Sequence, residues 1–191
     1  MEREILITGI GGQGVQLAAQ VIARAATIEG RSVSFLGLYG GMMRGGNTDS
    51  TLVVADRPIE SPPIVSRTWS AIAMHDEFWA PIEPKLRPGG VVLVNDATFR
   101  HDIEADVAVH RVNATEIASD LGNPLGASLV MTAAFCNMTG VLQLDSLIQA
   151  MRGSIPSYRR QHIEDNEAAL RAGDELTERN IHPFWHTEVP A

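Results

Sequence analysis

Ile5-Leu6-Ile7-Thr8-Gly9-Ile10-Gly11-Gly12-Gln13-Gly14-Val15 is a short apolar run that stops at a cluster of glycines. Beyond it, Val15, Ala18, Ala19, Ile22, Ala25 and Ala26 recur at helical spacing, so the stretch reads as strand, glycine turn and helix. The turn satisfies Gly-x-Gly-x-x-Gly in the context where backbone amides and a helix N-terminus can receive a pyrophosphate. A dinucleotide site should also carry an acid at the end of the next strand, for the ribose hydroxyls. That stretch reads Phe35-Leu36-Gly37-Leu38, with no Asp or Glu. Three readings of the turn stay open: a dinucleotide site, a tight turn that lets the helix pack close to the sheet, and an anion site completed by neighbouring chains.

Outward from the turn, Gly30 ends the first helix, and residues 32–36 and 51–55 read as strands. Between them, residues 37–47 form a loop with five glycines, followed after the third strand by a proline-bearing connection at 56–63. Trp69–Met74, Val91–Val94 and Val107–Val112 read as further strands, and Phe78–Leu86 as a helix stopped by Pro88-Gly89-Gly90. The all-apolar Val91–Val94 suits a strand buried on both faces. From residue 113 onward helices are expected at 114–121, 127–140, 144–151 and 158–179. The predicted class is α/β, Rossmann-like, a largely parallel sheet flanked by helices with a helical C-terminal part. One domain is expected over residues 1–181, with 182–191 an extended tail whose Phe184 and Trp185 dock on this chain or a partner.

Composition bounds the chemistry. The 191 residues suffice for one full core, and a net charge of -8 without basic runs disfavours nucleic acid and anionic membranes. No apolar stretch approaches the roughly 20 residues of a membrane span, and the N-terminus lacks the basic and apolar regions of a signal peptide, so a cytoplasmic protein is expected. Cys136 is the single cysteine, so this chain cannot by itself form a disulfide or ligate a Cys₄ cluster. Asp49-Ser50 with His75 lacks the elbow of a hydrolase, and Pro183 between His182 and His186 argues against a helical metal pair. No catalytic and no metal-binding residue is expected.

A second glycine-rich stretch, Tyr39-Gly40-Gly41-Met42-Met43-Arg44-Gly45-Gly46-Asn47-Thr48-Asp49-Ser50, places one guanidinium among glycines and small polar residues. An Arg fork with freely oriented amides suits a carboxylate or phosphate, and Met42-Met43 adds adaptable apolar surface. The same stretch would also serve as an ordinary surface loop.

With Gly9–Gly14 and Tyr39–Gly46 in this order, the chain resembles the γ subunit, or γ domain, of the 2-oxoacid:ferredoxin (acceptor) oxidoreductases, whose members act on pyruvate, 2-oxoglutarate, branched-chain 2-oxoacids, indolepyruvate or phenylglyoxylate. The likeness continues through Ile59-Glu60-Ser61-Pro62, Leu86–Asn95 and Leu121-Gly122-Asn123, and ends near Asn166 to Gly173. It departs at Met42, where the family often carries Glu. The resemblance implies a Rossmann-type scaffold within a complex that oxidatively decarboxylates a 2-oxoacid to acyl-CoA. Thiamine diphosphate with its Mg and the [4Fe–4S] clusters would lie in partner subunits, and ferredoxin or an NAD-reducing subunit would accept the electrons. The isolated chain would hold no cofactor and would be inactive. Gly11, Gly12, Gln13, Gly14, Arg44, Gly45, Gly46 and Asn47 become candidate contacts to CoA or to a partner chain. The alternatives are an independent NAD(P)- or FAD-binding oxidoreductase and a regulatory anion-binding module.

Overall fold

A computed structural model of the chain describes residues 1–39, 45–60 and 64–185. Six strands form one sheet: β1 (Glu2–Ile10), β2 (Ser32–Tyr39), β3 (Asn47–Ala55), β4 (Thr68–Ala73), β5 (Leu86–Asn95) and β6 (Val107–Val112). Their order is β2-β3-β1-β4-β5-β6. β1, β4, β5 and β6 are mutually parallel, and β3 is antiparallel to both β1 and β2. Five strands therefore point one way, as the α/β reading expects, and β3 alone points back.

The reversed strand arises because β2 and β3 form a hairpin around the second glycine-rich stretch. The sequence leaves 37–47 as loop, but cross-strand bonds carry β2 on to Tyr39 and start β3 at Asn47, with Leu38 opposite Asp49. Ladder hydrogen bonds outweigh the weak strand preference of Gly37. A Cβ at that position would meet the end of the Gln16 side chain, which would have to move aside.

All five α-helices lie on one side. α1 (Val15–Ile28), α2 (Ala114–Asp120), α3 (Ala127–Thr139), α4 (Leu144–Ser154) and α5 (Ile163–Glu175) share a core with Ile5, Ile7, Leu52, Val54, Ile72, Val91 and Leu93. α3 is buried at every position but Asn137, so it is the centre of the helical layer rather than an amphipathic surface helix. Gly173 of α5 packs against the backbone of Val130, a contact that admits no Cβ.

The opposite face of the sheet is covered without an α-helix. Leu6, Ala71, Ala73, Val92 and Val94 pack under Trp79, Ile82 and Phe99, which come from the connections on either side of β5. Trp79 and Phe99 meet edge to face, centroids 5.2 Å apart. A helix over Phe78–Leu86 is therefore not formed; only Glu83–Lys85 makes a single 3-10 turn. Pro81 and Pro84 each remove an amide donor and block a continuous helix. Pro88-Gly89-Gly90 ends no helix but lies in β5, opposite a register shift between Thr68 and Ser70. The helix expected over 158–179 is likewise shorter. A 3-10 segment Ser157–His162 precedes α5, and Asn137 Nδ2 caps the C-terminal carbonyls of Asp174 (2.9 Å) and Thr177 (2.6 Å).

Candidate functional site

β1 ends inside the glycine turn. Gly12 (φ 108°) and Gly14 (φ 82°) take the left-handed conformations that only glycine adopts cheaply, and Gly14 leads directly into α1. Gln13 ties the turn together: its Oε1 accepts from the Ile10 amide at 2.9 Å and its Nε2 donates to the Met74 carbonyl at 3.3 Å. The turn after β1 is thus fastened to the turn after β4.

The second glycine-rich stretch returns to the first. The Gly11 amide donates to the Gly46 carbonyl at 2.8 Å, and a Cβ on Gly11 would stand 3.2 Å from the Gly45 nitrogen. Gly45 has φ 98°. Asp49 accepts from Thr8 Oγ1 at 2.7 Å and from Asn47 Nδ2 at 3.0 Å, which rigidifies the start of β3 beside the turn. The structure therefore brings together Gly11, Gly12, Gln13, Gly14, Gly45, Gly46 and Asn47. Arg44, which the sequence groups with them, lies outside the described residues.

Among the described residues, Asn47 Oδ1, Thr48 Oγ1 and Ser128 Oγ near this junction, and Ser50 Oγ farther along β3, are buried with no hydrogen-bond partner. Ser128, in the first turn of α3, lies against Gly14. Neither α1 nor α3 carries an acid in its first turn or a side-chain cap, so no carboxylate at either N-terminus opposes the approach of an anion. Unpartnered buried hydroxyls are costly to keep unless something binds them.

Beside the turn, a cavity of about 200 Å³ opens at the carboxyl ends of β1, β4 and β5. Gly12 and Gln13, Met74, Asn95 and Thr98, Thr115, and the Pro124–Ala127 segment line it. Asn95 Nδ2 donates to Thr115 Oγ1 at 2.8 Å, and Thr98 Oγ1 to the Met74 carbonyl at 2.5 Å. No lining residue is charged. The chain leaves β1 toward β2 on one side of the sheet and β4 toward β5 on the other, so the crevice lies at the topological switch point, where open α/β sheets bind ligands. Sequence reasoning missed Asn95, Thr98, Thr115, Leu125 and Ser128. Only the Pro124-Leu125-Gly126 break before α3 hinted at them.

The strand order also bears on the dinucleotide alternative. In a dinucleotide-binding half the strand after the first helix lies beside β1 and presents its acid there. Here the reversed β3 stands between β1 and β2, so the end of β2 is one strand removed from the glycine turn. Nothing in this arrangement favours NAD or FAD.

Cys136 is buried in α3, and burial, with Glu29 and Asp174 nearby, pushes its thiol far above the ordinary range. A thiol held protonated is neither nucleophile nor ligand. Among the described residues no three His, Cys, Asp or Glu side chains are grouped to hold a metal ion, and no helix is long and apolar enough to cross a membrane.

The model of the pyruvate ferredoxin/flavodoxin oxidoreductase family matches residues 4–176. The chain is 30% identical to the 2-oxoglutarate synthase subunit KorC of Methanocaldococcus jannaschii, over 92% of this chain and 94% of that subunit. It is 31% identical to the pyruvate synthase subunit PorC of Methanothermobacter marburgensis, over 80% of this chain and 86% of that one. Its fold superposes on the keto/oxoacid ferredoxin oxidoreductase γ subunit of Geobacter sulfurreducens with a TM-score of 0.80 and 26% identity, covering 92% of this chain and 95% of that one. With the match spanning the glycine turn, all six strands and all five helices, the chain belongs to the pyruvate ferredoxin/flavodoxin oxidoreductase family.

Proposed function

We propose that the chain is the γ subunit of a multi-subunit, cytoplasmic 2-oxoacid:acceptor oxidoreductase, and that its two joined glycine loops form a wall of the path by which CoA reaches the active centre. The subunit role is supported by relatives of nearly equal length that are themselves subunits of 2-oxoglutarate and pyruvate synthases. One observation carries the CoA reading: the α1 and α3 N-termini, free of acids, stand at the glycine turn with the hydroxyls of Thr48 and Ser128, which have no hydrogen-bond partner among the described residues. Such a donor set suits the phosphates of CoA.

In this reading Gly11, Gly12, Gly14, Gly45 and Gly46 let backbone amides approach the anion, Gln13 holds the turn, Asn47 borders it, and Arg44 is a candidate contact from the sequence alone. Thiamine diphosphate with its Mg supplies decarboxylation of the 2-oxoacid, and [4Fe–4S] clusters carry electrons to ferredoxin or an NAD-reducing subunit, all from partner chains. The single inert cysteine accords with that division of labour.

The test is purification of the chain with and without its complex. Alone it should be colourless and inactive, and from its source it should co-purify with thiamine-binding and iron–sulfur chains. A stable, active, solitary homo-oligomer would overturn the subunit reading. For the loops, Gly11→Ala and Arg44→Ala should raise the KM for CoA or weaken assembly more than they disturb folding. An assembled, fully active complex with an unchanged CoA KM would refute the CoA path and leave the subunit reading standing.

A further inference from the structure

The C-terminal segment 180–185 leaves the α5 region and runs back along the end of α3. The amides of Asn180, His182 and Phe184 donate to the carbonyls of Asn137, Met138 and Thr139 at 2.8, 2.9 and 2.7 Å. These carbonyls belong to the last turn of α3, which has no further helical turn to satisfy them. Phe184 is fully buried, edge-on to Trp69 of β4 at 5.2 Å, and Trp185 Nε1 donates to the Val141 carbonyl at 3.2 Å. Arg3 of β1 lies over the Trp69 ring at 4.1 Å and donates to the Pro183 carbonyl at 3.0 Å, while Arg31 lies over Trp185 at 4.2 Å. One six-residue strap thus joins the helical layer to β1 and β4.

It reaches the far edge strand through His182. His182 Nε2 stands 2.8 Å from His110 Nε2 of β6, with ring centroids 4.9 Å apart. Centroids that far apart for nitrogens that close mean the two nitrogens face each other almost head-on. That is the geometry of a shared proton; a shared metal would need both lone pairs to converge on a third point. Both rings are half-buried.

We propose that His110 and His182 fasten an acid-opened clasp, holding residues 180–185 on the sheet edge while they share one proton and releasing them when each carries its own. With the pair neutral or singly charged, one nitrogen donates and the other accepts. A second proton leaves two N–H groups and two positive charges face to face.

Among the described residues, nothing in the surroundings offsets that repulsion. Among the described residues no carboxylate lies within ion-pair distance of either ring. β5 presents Leu93 opposite His110, and the end of α3 presents Asn137, Met138 and Thr139, all uncharged. Arg111, the neighbour on β6, is engaged with Asp96 and the carbonyls of Phe99 and His101. Arg179, just before the strap, is bonded to Gln143. The strap's other side-chain fastenings, Arg3 and Arg31, are guanidiniums, whereas an imidazole is the side chain whose ordinary charge change falls between pH 5 and 8. Burial, and the positive charge of His182 when protonated, hold His110 below the ordinary imidazole value. Opening therefore takes up a proton, and the docked strap loses stability as pH falls below about 6.5.

Amide hydrogen exchange by mass spectrometry on the intact protein, at pH 7.5 and pH 5 and corrected for intrinsic rates, reads the clasp directly. Peptides spanning 180–185 should exchange severalfold faster at pH 5, while α1 and α3 amides keep their protection. In His182→Gln, whose amide can donate to or accept from His110 in either charge state, the difference should shrink, because only the burial of His110 is left to disfavour its charged form. Equal protection at both pH values in the wild type, loss only together with α1, or the same loss in His182→Gln would each overturn the proposal. Should that variant not fold, His110→Gln gives the same discrimination.

Discussion

Gly14 and Ser128 lie so close that the space a Cβ would take at position 14 is filled by the Ser128 hydroxyl. This contact sets the N-terminus of α1 against that of α3, and the hydroxyl has no hydrogen-bond partner among the described residues. The glycine is required twice over, by its φ of 82° and by its neighbour.

Gly14→Ala should therefore cost about 1–2 kcal/mol for the left-handed backbone and about 1–3 kcal/mol more for overpacking. Ser128→Ala should relieve the second part and not the first. A double-mutant cycle by urea unfolding will show it as a favourable coupling, and strictly additive losses would contradict the contact.

Trp79 carries the non-helical cover of the sheet, buried against Phe99 and bonded through Nε1 to Glu83 at 2.9 Å. Trp79→Ala should destabilise the chain by about 3–5 kcal/mol, measured by denaturant unfolding. A loss under about 1 kcal/mol would mean that the connections around β5 contribute little to the core.

Glu83 answers to acid. Burial works to raise its carboxyl, but the amides of Glu104 (2.6 Å) and Ala105 (3.1 Å), the Trp79 indole and His101 more than offset it and leave it below the ordinary value. A depressed carboxyl adds stability that is present above the ordinary glutamate value of about 4.3 and is lost as pH falls through the depressed one. The urea midpoint of the wild type should then drop more steeply between pH 6 and about 3 than that of Glu83→Gln. Parallel curves would show that these bonds do not favour the charged form.

The Cys136 thiol, pushed up by burial, should resist a disulfide reagent at pH 8 in the native protein and react fully once unfolded. Rapid labelling of folded chain would place Cys136 at the surface of α3.

Much was legible one residue at a time. The Ile5–Thr8 run, the spacing from Val15 to Ala26 and the apolar Val91–Val94 announce strand, helix and buried strand, because periodicity reports which face is hidden. The lone cysteine limited the chemistry without any coordinates, since ligand count is a property of composition. The readings that failed were those where local preference met a distant partner. A glycine-bearing stretch became the end of β2 because β3 lay beside it, and Phe78–Leu86 lost its helix to two prolines and to the sheet face that Trp79 covers.

What the sequence by itself determined, then, is the α/β class, the glycine turn and a cysteine count too low for a Cys₄ cluster, for these follow from local sterics, burial pattern and residue inventory. Only the tertiary structure decided that β3 runs backward between β1 and β2, that Gly11 bonds Gly46, that Ser128 meets Gly14 and that His110 faces His182. Each joins residues far apart in the chain, and such pairings are selected by the packing of the whole sheet and helical layer, which no window of sequence contains.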